Sequence, residues 1–324
     1  MSPYIPDLDQ VQLGTESTFG TAVTPTVKLG LVDKITIIPN VKIDTLPDKR
    51  GSLQPGYVDV IALHDGKAKI TGAATYQDLP YWLDSIFGIA TPTGPTNFVR
   101  SYTGPTSAAQ TRRMMTLVKG QTGAVAKLTS GIVDTLTLSC DKNGVMQYEA
   151  SMIGKQVSDG TLAVLSDRVL DPIRGSDFSI AVDTWAGTIG ATLLTGLIWY
   201  SWNLAIKSNV NNQPGLGSIY PVKTREAAWS VVLKVKMELE ATAAALITAY
   251  LSAVVTQRQI RIKATTGVSA VAQFDVAGTY KKIGDLHTDT DGVVSVEFEI
   301  DGLYNPTLGN SIAASVTNQV AAMA

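Results

Sequence analysis

Alternating apolar and polar positions dominate the chain and predict strands. Segments such as RMMTLVKG, AWSVVLKVKMELE and RQIRIKATTG alternate in this way or are rich in β-branched residues, and turn residues separate them. Asn143-Gly144 and Asp291-Gly292 each stand between two such runs. Both dipeptides favour the positive φ angles of tight hairpins. The pattern therefore predicts a mainly β protein.

Two segments follow a helical period instead. In TYQDLPYWLDSIFG the residues Leu83, Ile86 and Phe87 fall on one face. In ELEATAAALITAYLSAVV the corresponding residues begin with Ile247 and follow at a constant offset of 164 positions. We expect both segments to be amphipathic helices packed on a sheet.

The two helices belong to an internal repeat. The order strand, polar excursion, strand, helix and hairpin occurs in each half of the chain, although few residues are identical. The charged stretch LSDRVLDPIRGSD contains Pro172 and Gly175 and marks the boundary. The sequence predicts two tandem domains, residues 1–170 and 171–324, each mainly β with one flanking helix. Residues 89–111, rich in Thr, Gly and Pro, have no counterpart in the second half and are expected to form a long surface loop.

Composition and charge exclude several classes of protein. The chain has 324 residues, of which 45% are apolar and 17% charged, with 26 Lys and Arg against 28 Asp and Glu. Such a composition is globular rather than disordered, and a net charge of −2 does not fit a protein that neutralises many phosphates. The single Cys140 lies in a strand pattern and is expected to be a buried thiol.

The sequence predicts neither secretion nor membrane insertion. Its opening, MSPYIPDLDQVQLG, lacks the basic and apolar regions of a secretory signal. The charge-free run 184–206 is long enough for a membrane span but contains Gly187, Gly190 and Asn203 among strand-forming residues. We expect buried strands there.

No pattern in the sequence indicates catalysis or a cofactor. His64 and His287 stand at strand ends, and the chain lacks a nucleophile elbow. The basic residues are not clustered as a nucleic-acid site would need, since the densest stretches are Arg112-Arg113 and residues 256–263, and the latter alternates like a solvated or subunit-facing strand.

One acidic segment, DLHTDTDG, invites comparison with a metal site. Asp285, Asp289 and Asp291 alternate around a histidine, but Phe298 occupies the closing acidic position of a calcium loop. A solvated strand face is favoured over a metal site. A non-enzymatic interaction or assembly role, without metal or cofactor, is therefore expected.

Four ordered segments of the first half resemble the tail tube (major tail) proteins of long-tailed, non-contractile bacteriophages. They are LGTESTFGTAVTPTVKLGLVDKITIIP, LPDKRGSL, GKAKITGAATYQDLPYWLDSIFG and DTLTLSCDKNGVMQYEASMIGK. The opening E-x-x-F-G-T and the unit TYQDLPYWL are the most specific parts. The second half resembles the family in its order of elements more than in its residues.

The resemblance implies a fold, an assembly and partners. Each domain would be a β-sandwich or half-barrel with a flanking helix, and six such domains would form a ring with a continuous β-barrel lumen. A chain with two domains would form trimeric rings with pseudo-sixfold symmetry. The rings would stack into a tail tube with an acidic lumen that conducts DNA into the host cell. Implied partners are further copies of the chain and the tape measure, terminator and tail tip proteins, in a virion tail assembled in the host cytoplasm and without a membrane.

The polar excursion of each half is the predicted inter-subunit or inter-ring contact. The first is DTLPDKRGSLQPG and the second is SNVNNQPGLGS, which keeps the position of the first but lacks its Lys-Arg pair. The candidate contact residues are Asp44, Leu46, Asp48, Lys49, Arg50, Leu53, Asn209, Asn211, Asn212, Gln213 and Leu216.

Two other functions remain open at this point. A β-rich virion adhesin or carbohydrate-binding module would also fit the long loops, and ligand binding by a stable monomer would favour it. A hydrolase with a site assembled from dispersed residues is the other alternative. Turnover that is lost on replacing His64 or His287 would favour the hydrolase.

Overall fold

The computed structural model describes residues 8–46, 58–108, 110–194, 198–252, 255–286, 288–290 and 292–323. The elements of the first half are β1 (Gln10–Glu16), β2 (Val27–Lys28), β3 (Val32–Leu46), β4 (Val58–Ala73), α1 (Leu79–Ile86), β5 (Phe98–Thr103), β6 (Met114–Gln121), β7 (Ala124–Asp141), β8 (Gln147–Gly154) and β9 (Gln156–Asp159). Those of the second half are β10 (Phe178–Thr184), β11 (Trp199–Lys207), β12 (Asn211–Pro214), β13 (Pro221–Arg225), β14 (Ser230–Glu238), α2 (Ala241–Leu251), β15 (Gln257–Thr265), β16 (Val271–Ile283), β17 (Thr288–Thr290), β18 (Val293–Gly302) and β19 (Ile312–Asn318). The predicted mainly β fold is confirmed.

Eight antiparallel strands of the described residues form what we call the main sheet, in the order β3-β4-β8-β7-β11-β14-β18-β16. Four strands come from each half. In the first half, a second layer contains β1, β6, the N-terminal part of β7 and β9. In the second half it contains β10, β15, the N-terminal part of β16 and β19. Alternate residues of the strands are apolar and buried in the core.

The strand pairing of the first half recurs in the second half at constant sequence offsets. Lys34 of β3 pairs with Thr71 of β4. Ser201 and Lys236, which follow at offsets of 167 and 165 residues, pair with each other in β11 and β14. The pairings of β8 with β4 and β7 recur for β18 with β14 and β16, at offsets of 148 for β8 and 147 for β7. The second layer recurs with offsets of 168 for β1 and 144 for β6. We call residues related by these offsets counterparts.

Two irregular positions recur as well. Asp33 interrupts the pairing of β3, and its counterpart Tyr200 interrupts that of β11. Asp134 in β7 and its counterpart Lys281 in β16 interrupt their strands in the same way. A β-bulge is a specific feature that an alternating apolar pattern does not produce by itself. The two halves therefore share more than a common class of fold.

The helices lie where the sequence predicts them, but they differ in environment. All eight residues of α1 are buried, so the expectation that this helix is amphipathic with a solvated face is wrong. The reason is that β5 and β7 contact α1, so neighbours cover even its polar Asp84 and Ser85. Helix α2 buries Ala243, Leu246 and Ile247 and exposes other positions, as predicted.

The segment 89–111 is not simply a surface loop, and that prediction is wrong in part. It contains β5, which pairs with β19 near the other end of the chain. Arg100 of β5 is 1% exposed, and its guanidinium donates hydrogen bonds to Asn318 Oδ1 at 3.1 Å and to the Val320 carbonyl at 2.7 Å. This tertiary pairing orders a segment whose composition is typical of a loop.

Three further predictions concern individual strands. Cys140 is buried, and β7 and β8 form the hairpin predicted at Asn143-Gly144. The run 184–206 forms a strand only from Trp199 onwards. Strand β15 is not an exposed edge, because β10 and β16 pair with its two sides.

Candidate assembly surfaces

The main sheet ends at β3, whose outer side forms one candidate surface. Strand β3 pairs with β4 along its length, and no other described strand pairs with it. Ile38 is 54% exposed, and Lys34 and Pro39 are also exposed. Lysine and proline are residues that keep an edge strand from pairing indiscriminately. An edge of this length is a surface on which another strand can pair.

The opposite end of the main sheet lies at β16 and β17. The last backbone hydrogen bond from β16 towards the β15 side runs from Tyr280 N to Thr256 O. Residues 281–283 and β17 pair with β18, and no described strand pairs with their other side. The main sheet therefore has one unpaired edge at each end.

The halves meet through the same type of contact that an edge would offer to another chain. Strands β7 and β11 form seven antiparallel residue pairs, from Thr135–Lys207 to Asp141–Ser201. Beyond this ladder, the carbonyl of Asp134 accepts a hydrogen bond from Ser208 N at 2.8 Å. Side chain and backbone thus continue the strand contact past the regular pairing.

A buried ion pair lies beside this junction. Arg112 Nε is 2.6 Å from Glu226 Oε1, with side chains 5% and 19% exposed. Arg112 also donates a hydrogen bond to Ser208 Oγ at 2.9 Å, and its guanidinium lies 5.5 Å from the Trp229 ring centre. Trp229 in turn packs against Phe87, with ring centres 5.2 Å apart. Burial lowers the pKa of the Arg112 guanidinium, and Glu226 raises it in part.

Sequence reasoning missed this cluster. Arg112 was considered only as part of a basic dipeptide, and no local pattern indicates that it is buried. Its hydrogen-bond partner Ser208 is 96 positions away in the chain. Only the tertiary fold brings the two together.

Two hairpins extend from the main sheet, and they carry the predicted contact residues. We call the part of β3 and β4 formed by residues 41–46 and 58–64 the first arm, and β12 with β13 the second arm. Asp44 and Leu46 lie in the first arm, where Leu46 pairs with Val58. The remaining predicted residues of the first half lie outside the described residues; these are Asp48, Lys49, Arg50 and Leu53.

The second arm has the position that the sequence predicts. Its pair Gln213–Lys223 is the counterpart of Leu46–Val58. Asn211 also lies in β12, while Asn209, at the base of the arm, has a φ of 51°. Leu216, in the connection between the two strands, is fully exposed.

The second arm packs against the base of the first arm in the same chain. Asn212 Nδ2 donates hydrogen bonds to the Gly154 carbonyl at 3.0 Å and to Asp65 Oδ2 at 3.3 Å. The backbone N–H of His64 donates to the Ile219 carbonyl at 2.8 Å. The structure thus brings the two predicted contact regions side by side.

The solvated face of the main sheet carries both signs of charge. Lys69 Nζ lies 2.8 Å from Glu149 Oε1 across β4 and β8, and Lys234 Nζ lies 3.1 Å from Glu299 Oε2 across β14 and β18. The hydrogen bond to Glu299 raises the pKa of Lys234. Charged residues of this face also include Lys34, Lys67, Lys236, Lys282, Glu297 and Asp301.

Chemistry of other kinds has little support in the described part of the chain. There, no three His, Cys, Asp or Glu residues come together to hold a metal ion. Of the predicted acidic segment, Asp285 and Asp289 are described, and His287 and Asp291 are not. No helix within the described ranges is long and apolar enough to span a membrane.

Comparison with known proteins gives one match. A family model described as phage tail tube protein matches residues 8–302, which include both arms and all eight strands of the main sheet. A search of curated proteins found no match.

Proposed function

Because the chain belongs to the phage tail tube protein family, we propose that three copies form a closed ring and that these rings stack into the tail tube. Each chain would supply two of six equivalent positions, so that the ring has pseudo-sixfold symmetry. The stacked rings would form the conduit through which viral DNA enters the host cell.

The proposal of two positions per chain rests on the recurring strand register. Six strands of the first half have counterparts in the second half with the same pairing, and both bulges recur. We infer that residues 1–170 and 171–324 are tandem tail tube domains. Duplication within one chain would replace a sixfold ring by a threefold one.

Ring closure requires a contact between chains that resembles the one within a chain. Strand β7 already pairs with β11, and the counterparts of these two strands are the unpaired edges at β16 and β3. Pairing of β16 and β17 of one chain with β3 of the next would cover both edges. Eight strands per chain in the main sheet would then give a barrel of 24 strands.

The solvated face of the main sheet would line the lumen of this barrel. Its lysines and acids form ion pairs across neighbouring strands, as Lys69 and Glu149 do. Such a wall has mixed charge, unlike the acidic lumen that the resemblance implies. Paired charges would let DNA pass without the affinity that a basic surface would create.

The arms would provide the contacts between stacked rings. They extend beyond the layers of the sandwich, and the two arms of one chain lie against each other at His64 and Ile219. The ends of the tube would meet the tape measure, terminator and tail tip proteins. Assembly would take place in the host cytoplasm before the tail joins the virion.

One observation carries the proposal, namely the pairing of β7 with β11 in a chain of this family. Cryo-electron microscopy of the purified protein under assembly conditions tests it. We expect hollow tubes whose rings contain three chains, and native mass spectrometry of isolated rings should give three times the chain mass. A protein that stays a globular monomer would contradict assembly, and six chains in a ring would contradict the two-domain arrangement.

A further inference from the structure

We propose that a groove beside α2 binds the base of the first arm from a second copy of the chain. We call it the α2 groove, and it is lined by Tyr250, Val255, Thr256, Lys281 and Leu303. This inference rests on the proposed ring, because it names side-chain surfaces through which one chain would meet the next.

The counterpart of the α2 groove in the first half is occupied by the second half of the same chain. Asp134 is the counterpart of Lys281. Its carbonyl accepts a hydrogen bond from Ser208 N at 2.8 Å, and its Oδ1 accepts one from Val210 N at 2.9 Å. The segment that fills this place is the base of the second arm.

The matching base of the first arm is exposed. The offset of 167 between β3 and β11 makes Val41 and Ile43 the counterparts of Ser208 and Val210. Val210 is 4% exposed, whereas Ile43 is 59% exposed. Ser208 is fully buried, whereas Val41 is 41% exposed. Apolar side chains that are exposed at positions buried in the other half indicate a contact that a single chain does not complete.

The ion pair of the first junction is replaced on both surfaces. The counterparts of Arg112 and Glu226, at offsets of 144 and 165, are Thr256 in the α2 groove and Ile61 in the first arm. If only one member had changed, the remaining charge would be buried without its partner, which is strongly destabilising. Both charges are gone together, as a contact between these two surfaces requires.

The surroundings of the α2 groove are apolar and exposed. Val255 is 71%, Leu251 66% and Leu303 43% exposed. Leu251 is the counterpart of Phe87, which packs against Trp229 within the chain. The groove therefore offers apolar surface to the apolar base of the first arm, and removing both from water favours their contact.

A transfer of the ion pair tests this contact. Ile61→Glu places a carboxylate in the first arm, and Thr256→Arg places a guanidinium in the α2 groove, in the arrangement of Arg112 and Glu226. We expect Ile61→Glu alone to raise the protein concentration needed for tube assembly by about tenfold or more, because an unpaired charge enters an apolar contact. The double variant should assemble within about threefold of the wild-type concentration. Light scattering and electron microscopy measure assembly.

Thr248→Arg combined with Ile61→Glu is the matched control. Thr248 is an exposed residue of α2 outside the α2 groove, so this arginine should not restore assembly. Restoration by Thr248→Arg to the same degree would overturn the assignment of the site. Circular dichroism of each variant as a monomer checks that the fold is intact.

A disulfide gives an independent measurement. Since Ser208 N bonds to Asp134 O within the chain, the counterparts Val41 and Lys281 should lie opposite each other between chains. The variant with Val41→Cys and Lys281→Cys, treated with oxidised glutathione, should form a covalent trimer on a non-reducing gel, and either single variant should not. Cys140 is 2% exposed and serves as an inert background.

The outcomes separate this inference from the proposed function. Tubes that form equally well with Ile61→Glu, without a covalent trimer from the cysteine pair, would overturn the α2 groove contact and leave the ring standing. Failure of the wild-type protein to assemble under any condition would overturn the ring and this contact with it.

Discussion

Exposure to water decides what an ion pair contributes at the scale of single residues. Arg112 and Glu226 are nearly buried, and Arg112 has further partners in Ser208 and Trp229. Lys69 and Glu149 are 55% and 42% exposed, so water and salt screen their attraction. Removing one member of a buried pair leaves the other charge without solvent or partner, whereas removing one member of an exposed pair does not.

The first prediction concerns stability. We expect Arg112→Ala to lower the free energy of unfolding by about 3–5 kcal/mol. Lys69→Met, the exposed control, should change it by about 1 kcal/mol or less. Urea unfolding followed by tryptophan fluorescence measures both. Equal effects of the two substitutions would contradict the structural role assigned to Arg112.

At the scale of elements, the arms and the layers of the sandwich have different supports. The layers have a continuous apolar core, whereas each arm is a two-stranded hairpin, an element that is marginally stable on its own. The second arm gains support from the base of the first arm through Asn212 and Asp65. The outer part of the first arm has exposed apolar residues, including Leu46 and Val58. A surface of this kind is suited to a contact with another chain.

The second prediction follows from that difference. Deleting residues 48–53 should leave the monomer folded, because the deletion lies outside the core, but it should block tube growth. Circular dichroism and electron microscopy measure the two properties. Replacing the same residues by six glycines and serines tests whether length alone is sufficient. Tubes of normal length from the deletion variant would contradict the role of the first arm in assembly.

At the scale of the whole molecule, the two halves are joined by strand pairing in two places. Strand β7 pairs with β11, and β5 pairs with β19. The connecting segment also contacts the first half, where the side-chain amide of Gln12 donates to and accepts from the backbone of Ala163, each at 2.8 Å. Further along, Val164 and Val169 are almost fully exposed. The covalent connection is therefore not the main link between the halves.

The third prediction tests this arrangement. A protease site inserted between Ser166 and Asp167, both exposed, should be cut without separating the halves, because both strand pairings and the Arg112–Glu226 ion pair persist. Size-exclusion chromatography with light scattering should give one particle of the original mass. An uncut chain with the same insertion is the control. Separation in native buffer would show that the linker holds the halves together.

The sequence by itself determined the local structure and the repeated order of elements. Alternation predicted strands such as β14 and β18, the helical period predicted α1 and α2, and Asn143-Gly144 predicted a hairpin. These signals are local, since backbone propensity and burial of one face act over a few residues. The offset of 164 residues between the helices also predicted the repeat that the strand registers display.

Only the tertiary structure decided which strands meet across the halves. It buried α1 on all sides, made a strand of Phe98–Thr103, and placed Arg112 beside Glu226. Each of these depends on residues far apart in the chain, and a period of two or 3.6 residues carries no information about distant partners. For the same reason, the sequence predicted the position of the arms but not the exposed groove beside α2. The pairing of β7 with β11 distinguished the occupied junction from the two edges that a neighbouring chain would cover.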